Sequence, residues 1–338
     1  MTTQTMDLPA LDAWLREHVG DFDGSLQAEK FAGGQSNPTF KLTAGAQQYV
    51  LRRKPPGELL KSAHAVDREF KVISALYGSQ VPVAKPIALC EDESVIGSMF
   101  YVMEFIEGRV FWDPALPELS NSERAQAYDE MNRVLAALHE VDVDAVGLGD
   151  YGRPGNYFER QVSRWTKQYR ASETETIESM EILLKWLPEN MPEDDGRVAL
   201  VHGDYRLDNV MFHPTEMKII GVLDWELSTL GNPIADLAYQ VMAWQLPRDG
   251  GVSGLADVDR AALSIPSDDV YIQQYCERTG RAAIPDWNFY IAFCFFRLAA
   301  ILQGVKKRAL QGNASSEEAL SRGEQVKPLA DLGVGFIQ

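Results

Sequence analysis

The spacing of apolar residues divides the chain near residue 105. Residues 8–20 carry the period of a short amphipathic helix, and 28–42 read as strand, Gly-rich turn, strand. A short apolar strand over 48–53 ends at the turn Pro55-Pro56-Gly57. Helical spacing over 65–77 gathers Val66, Phe70, Ile73, Ala75 and Leu76 on or near one face. Two more strands, 87–90 and 99–105, are joined by an acidic turn at Glu91-Asp92-Glu93. Beyond Gly108 the pattern turns helical: 121–141, with Ser120 or Asn121 as N-cap, then 157–169, 173–187, 233–244, 268–279 and 286–307. An apolar, strand-like island, 198–223, sits among these helices. The expectation is an α+β chain, with a small antiparallel β-rich lobe holding one helix (1–104) and a larger, mostly helical lobe (105–338).

Composition narrows the partners. The 338 residues are 45% hydrophobic and 10% aromatic, enough to bury a core. With 32 basic and 49 acidic side chains the net charge is −17, distributed as −4 over residues 1–108 and −13 beyond. Phosphate backbones require a basic face, so a nucleic-acid partner is not expected. The basic cluster Lys306-Lys307-Arg308 reads as the charged end of a helix, which the helix dipole favours. Cys90, Cys276 and Cys294 stand far apart without a CxxC pair, pointing to a reducing compartment and against structural zinc. The N-terminal segment lacks the basic and apolar regions of a signal peptide. The most apolar stretch, 289–302, is short for a bilayer and is interrupted by Arg297, so it reads as a buried helix. A cytoplasmic protein without a membrane partner is expected.

The chemistry concentrates in Leu200-Val201-His202-Gly203-Asp204-Tyr205-Arg206-Leu207-Asp208-Asn209-Val210, which has the spacing His-x-Asp-x-x-x-x-Asn. Fifteen residues after Asn209, Asp224 follows the apolar run Ile219-Ile220-Gly221-Val222-Leu223 and precedes Trp225-Glu226. Apolar runs place these polar residues at strand ends. That arrangement suits phosphoryl transfer from ATP, which needs a Mg²⁺ clamp made by an Asn and an Asp and a carboxylate that orients the attacking hydroxyl. Asp204 is the candidate carboxylate. Asn209 and Asp224, hard oxygen donors, are the candidate Mg²⁺ ligands.

The segment resembles the aminoglycoside phosphotransferase and choline kinase superfamily, relatives of the protein kinases, in which His-Gly-Asp replaces His-Arg-Asp and Asp-Trp-Glu replaces Asp-Phe-Gly. The resemblance covers nearly the whole chain and implies a protein-kinase-like bilobal fold. By resemblance, Gly33, Gly34, Gln35, Ser36 and Asn37 form a nucleotide-covering loop. Tyr49-Val50-Leu51-Arg52 matches the strand that bears the phosphate-pairing cation, with Arg52 where protein kinases carry Lys, and Glu69 would be its helix partner. Strand alternation puts Arg53 on the opposite face and leaves Arg52 or Lys54; Arg52 is the choice. Met103-Glu104-Phe105-Ile106-Glu107-Gly108 looks like the hinge, where the main chain of Glu104 and Ile106 would meet adenine. Asp236 resembles a structural Asp that braces the catalytic loop. The runs 155–165 and 51–57 look like the branch whose domain is also found fused to acyl-CoA dehydrogenases.

Other signals read as structure. Gly147-Leu148-Gly149-Asp150-Tyr151-Gly152 satisfies G-x-G-x-x-G, but it follows a helix and precedes Pro154, so it is not a dinucleotide site. His202 is expected to hold the catalytic loop, His139 to pack, and the remaining histidines show no metal-ligand spacing. Eight carboxylates lie within 173–195 with only Lys185 opposed, which reads as a solvated face, with a cationic-substrate pocket as the sharper idea. Trp165 and Tyr169 read as core, with acceptor-pocket lining as the alternative. Arg160, Arg164 and Lys167 fall on one helix face, a local exception to the acidic balance.

The expected activity is transfer of the γ-phosphoryl group of ATP, with Mg²⁺, to a hydroxyl of a small-molecule acceptor by a monomer or homodimer. The branch resemblance implies a small hydroxylated metabolite, such as a hydroxyacyl compound or its CoA thioester. The alternatives are a catalytically silent nucleotide-binding module, which would release no ADP, and a structural interaction protein, which would bind no nucleotide.

Overall fold

The computed structural model describes residues 6–19, 23–31, 37–55, 65–248, 253–312 and 319–338. The chain begins with α1 (Leu8–His18), capped by Asp7, whose carboxylate accepts the Ala10 N–H at 3.0 Å. Then come β1 (Leu26–Lys30), β2 (Thr39–Ala44), β3 (Gln47–Arg53), α2 (Val66–Leu76), β4 (Pro86–Cys90) and β5 (Phe100–Glu104). The five strands form one antiparallel sheet in the order β1-β2-β3-β5-β4. Leu42, Leu51, Phe100 and Val102 from this sheet and Leu11 and Leu15 from α1 share a core.

The helical part contains α3 (Asn121–His139), α4 (Tyr157–Ser172) and α5 (Glu178–Glu189). Short strands follow: β6 (Ala199–Val201), β7 (Val210–Phe212), β8 (Ile219–Val222) and β9 (Thr229–Gly231). The chain ends with α6 (Ile234–Trp244), α7 (Asp268–Arg278), α8 (Trp287–Leu310), α9 (Ala319–Gly323) and α10 (Val326–Gly335). This is the α+β, kinase-like architecture.

Two compact units interleave along the chain. One comprises residues 1–110, 144–148 and 209–228; the other comprises 111–143, 149–208 and 229–338. The hairpin β7–β8 joins the first unit through long-range backbone bonds. Val222 N–H donates to Pro82 O at 2.8 Å, and Arg109 and Phe212 exchange two bonds of 2.8 Å.

Local chemistry explains most element boundaries. Ser120 caps α3 in a capping box with Glu123. The helix expected over 173–187 starts later, at Glu178, because residues 173–177 form a break that α8 holds open. There, Gln303 Nε2 donates to Ser172 O at 2.8 Å and to Thr174 Oγ1 at 3.0 Å. The short β9 and helices α9 and α10 were not foreseen. Helix α8 is long and apolar enough to cross a membrane by length and composition, yet 67% of its apolar window is buried in the structure. Its Phe289, Phe293, Phe295 and Phe296 are core residues. Cys90, Cys276 and Cys294 are buried free thiols.

Candidate phosphotransfer site

In the first unit, β3 pairs with β2 and β5 so that Arg52 lies opposite Thr39 and Tyr101. Alternation sends Arg53 to the other face, where it is buried and its guanidinium lies 6.0 Å from the Phe40 ring. Arg52 Nε sits 2.7 Å from Glu69 Oε2. Glu69, on α2, is 1% exposed and accepts bonds from Asn37 Nδ2 at 2.6 Å and Tyr101 OH at 3.1 Å. Arg52 also bonds Asp224 and lies 3.8 Å from Glu226. Burial pushes the Glu69 carboxyl up to about 7, and Arg52 pulls against that rise. Burial also works against the Arg52 charge, but Glu69, Tyr101 and Asp224 hold it above its ordinary value. Lys54 continues the sheet through a 3.0 Å bond from its N–H to Met99 O.

The hairpin places Asn209 and Asp224 together. Val210 pairs with Val222, and Leu223 N–H donates to Asn209 O at 2.8 Å, so Asn209 enters the hairpin beside the point where Asp224 leaves it. Asp224 has left-handed backbone, φ 62° and ψ 65°, a conformation that costs a non-Gly residue about 1–3 kcal/mol. Among the described residues there is no group of three or more His, Cys, Asp or Glu able to hold a metal. One amide and one carboxylate nevertheless fit Mg²⁺, which keeps several waters and takes only one or two protein carboxylates besides substrate phosphates.

Asp204 lies in the second unit, on the loop leaving β6. Asp236 accepts the backbone N–H of His202 at 2.6 Å and of Gly203 at 2.8 Å. His139 fixes Asp236 from behind, with Nε2 at 3.3 Å from Oδ2 and Nδ1 at 2.7 Å from Tyr275 OH. Burial opposes ionisation of Asp236, but the bonds from His139 and Gly203 hold its carboxyl below the usual range. His202 is wholly buried, and its Nδ1 accepts the Asp204 N–H at 3.3 Å. The Asp204 carboxyl itself is raised by burial, which Arg206, His202 and a bond from Tyr239 moderate. Arg206 Nε stands 3.7 Å from Asp204, and the same guanidinium bonds Asp208. Arg297, on α8, donates to Gly203 O at 3.0 Å and lies over the rings of Tyr239 and Trp165 at 5.3 and 5.8 Å.

Thus Asn37, Arg52, Glu69 and Asp224 meet in one cluster, with Asn209 at its edge, while Asp204 stands among Arg206, Tyr239 and Asp236. Asn37 is fully buried and its amide is committed to Glu69, so it braces the cluster. Gly33, Gly34, Gln35 and Ser36 lie outside the described residues. Glu104 ends β5 with an exposed side chain, its N–H donating to Lys85 O at 2.9 Å. Ile106 closes over Gly221: a Cβ there would stand 3.5 Å from Ile106 Cδ1 and 3.9 Å from Met211 Cβ. Sequence reasoning missed Arg206, Met211, Tyr239 and Arg297. Arg206 and Met211 stand in or beside the motif, whereas Tyr239 and Arg297 carry no local signal.

The remaining signals resolve structurally. Gly152 packs against β9, where a Cβ would come within 2.5 Å of Leu230 N, so close packing explains this glycine. The acidic stretch finds cations through tertiary contacts: Glu173 and Glu181 on Arg170, Glu175 on Lys306, and Asp195 on Arg281. Tyr169 is core, and Trp165 is only half-buried, against Arg297.

A profile of the phosphotransferase enzyme family APH matches residues 27–283. The chain belongs to that family. Across 98% of its length it is 47% identical to acyl-CoA dehydrogenase family member 10 of Mus musculus, of which it spans 31%. The chain spans less than half the length of the curated relatives it matches, so it is similar to one part of them. A crystal structure from Ralstonia eutropha JMP134, whose name as an aminoglycoside phosphotransferase is itself provisional, is 54% identical with TM-score 0.91 over 98% of both chains. Aminoglycoside phosphotransferase APH(4)-Ia, solved with AMP-PNP and hygromycin B, shares the phosphotransferase fold at 15% identity, TM-score 0.61, over 97% of this chain and 98% of its own.

Proposed function

We propose that this phosphotransferase-family chain moves the γ-phosphoryl group of ATP to a hydroxyl of a small acceptor. The observation that carries the reading is Arg52, a guanidinium anchored on buried Glu69 and bonded to Asp224. A rigid, bidentate cation is suited to phosphate oxygens. The AMP-PNP complex of APH(4)-Ia lends support for a nucleotide in this fold.

Arg52 would bind the phosphates of ATP, with Glu69 fixing its direction. The main chain at Glu104 and Ile106 would meet the adenine, and Ile106 and Met211 would supply an apolar wall. Asn209 and Asp224 would hold Mg²⁺, which when bound supplies positive charge to the phosphate oxygens. Asp204 would accept a hydrogen bond from the acceptor hydroxyl and orient its oxygen at the γ-phosphorus. Because the transition state is loose, this carboxylate works chiefly by positioning. Asp236 would keep the loop in register by holding two of its N–H groups.

The test is ADP release across a panel of small alcohols, with wild type and Asp204→Asn. We expect turnover in wild type and a loss of at least about 100-fold in the variant, the scale of a removed general base, with ATP affinity kept. Full turnover by Asp204→Asn on the same acceptor would refute the assignment. A silent nucleotide-binding module would bind Mg·ATP and release no ADP with any alcohol.

A further inference from the structure

We infer that the groove along the first turns of α4 is an anion site for a phosphate-bearing ligand. The groove has a volume of about 810 Å³, within the range of about 300–1,000 Å³ typical of small-molecule sites. Its walls carry Arg153, Arg160, Arg164 and Lys167, with Asn156 and Ser163 as neutral donors and Glu159 as the one carboxylate. That local balance of +3 lies in a chain of net charge −17.

These cations are unfavourable where they stand. Arg160 and Arg164, spaced i,i+4, repel each other on the helix. Lys167 continues the same face one turn further on, three residues after Arg164, and adds to that repulsion. Among the described residues no carboxylate lies within ion-pair distance of Arg153, Arg160, Arg164 or Lys167. Acids are not in short supply: at the other end of α4, Arg170 is paired by both Glu173 and Glu181. Arg160 is instead held over the preceding loop by donating to Arg153 O at 2.6 Å and Pro154 O at 3.4 Å, contacts that leave its charge uncancelled. The helix N-terminus itself is already taken, since Asp194 accepts the Asn156 N–H at 2.6 Å. The four cations of the groove, none of them in an ion pair among the described residues, are what matches a multiply charged phosphate ligand.

The same helix links the groove to Asp204. Arg164 lies 5.3 Å from the ring of its neighbour Trp165, and Trp165 lies against Arg297, which bonds the Gly203 carbonyl beside Asp204. The phosphates in the groove could belong to the acceptor, with its hydroxyl presented at Asp204, or to a separate ligand. The acceptor case rests on the function proposed above; the anion site does not.

The probe is inorganic pyrophosphate, titrated calorimetrically into the full chain with AMP-PNP in excess to fill the nucleotide site. We expect saturable binding that weakens with salt. It should fall at least tenfold in the triple variant Arg160→Ala, Arg164→Ala, Lys167→Ala. No binding to wild type, or equal binding to the folded triple variant, overturns the site. Paired acceptors, each alcohol with and without a diphosphate ester, separate the sources. If only the esters release ADP, with KM raised in the triple variant, the phosphates belong to the acceptor. If the bare alcohols turn over and pyrophosphate changes their rate without competing, the ligand is separate. Pyrophosphate binding without ADP release from any alcohol upholds the anion site and refutes the phosphotransfer reading.

Discussion

Arg52 and Asp224 lie 172 positions apart in the chain and are bonded to each other. The bond joins the middle of the β-sheet to the residue that follows the β7–β8 hairpin, and Glu69 buttresses it from α2. One guanidinium therefore answers three carboxylates, Glu69, Asp224 and Glu226. In the proposed reaction Asp224 would exchange this bond for a metal ion, and Arg52 would turn its free donors to phosphate.

Removing that guanidinium should be costly. Arg52→Ala leaves Glu69 buried without its counter-charge, a change worth about 3–5 kcal/mol in comparable buried pairs. Urea unfolding should show the midpoint falling with little change in slope. A midpoint equal to that of wild type would mean that the cluster contributes nothing to folding.

Asp236 supports the loop that carries Asp204 by accepting two of its backbone N–H groups. Asp236→Ala orphans the N–H groups of His202 and Gly203 and unties His139, a loss of about 3 kcal/mol at 1–3 kcal/mol per unsatisfied group. Calorimetry should record a Tm several degrees lower. In Asp236→Asn, which keeps one acceptor oxygen, the drop should be smaller.

In the proposed reaction the acid limb of the pH–rate profile would follow from Asp204. Burial raises its carboxyl, so it stays protonated at pH values where an exposed carboxylate is already ionised. The ionised form is the one that can accept the hydroxyl proton, so kcat/KM should rise with pH along a limb above the ordinary carboxylate range. Arg206 favours the ionised form. Arg206→Ala should therefore move the limb to higher pH; a shift to lower pH would exclude Asp204 as the titrating group.

The nucleotide and metal roles can be tested without knowing the acceptor. ATP at 100 times its Kd should stabilise wild type by about 2.7 kcal/mol. That thermal shift should require Mg²⁺ in wild type and lose its Mg²⁺ dependence in Asp224→Ala. A metal-dependent shift of unchanged size in the variant would assign the metal elsewhere.

The architecture was largely legible because it rests on local rules. Period-two and period-3.6 patterns located the sheet strands and the long helices to within a few residues, and Ser120 with Glu123 marked the start of α3. What was missed had no local cause. The break before α5 depends on Gln303, 131 residues from Ser172. In the acidic stretch 173–195, Arg170 opposes Glu173 and Glu181 from just outside the counted window, whereas the partners of Glu175 and Asp195, Lys306 and Arg281, are remote in sequence.

For the site, the sequence alone determined the residue types and their spacing: Asp204, Asn209 and Asp224 on apolar strand ends, and Arg52 on the face opposite Arg53, since strand alternation is a local property. Only the tertiary structure decided which of them touch. Arg52 found Asp224 through a hairpin held by long-range backbone bonds to Pro82, before β4, and Arg109, after β5. Asp204 gained Tyr239 from α6 and, through Gly203, Arg297 from α8. Arg153 joined the cations of α4 in one groove because the loop before that helix is bonded to Arg160. Contacts of that kind are set by how elements pack, and side-chain spacing along one strand or helix carries no record of them.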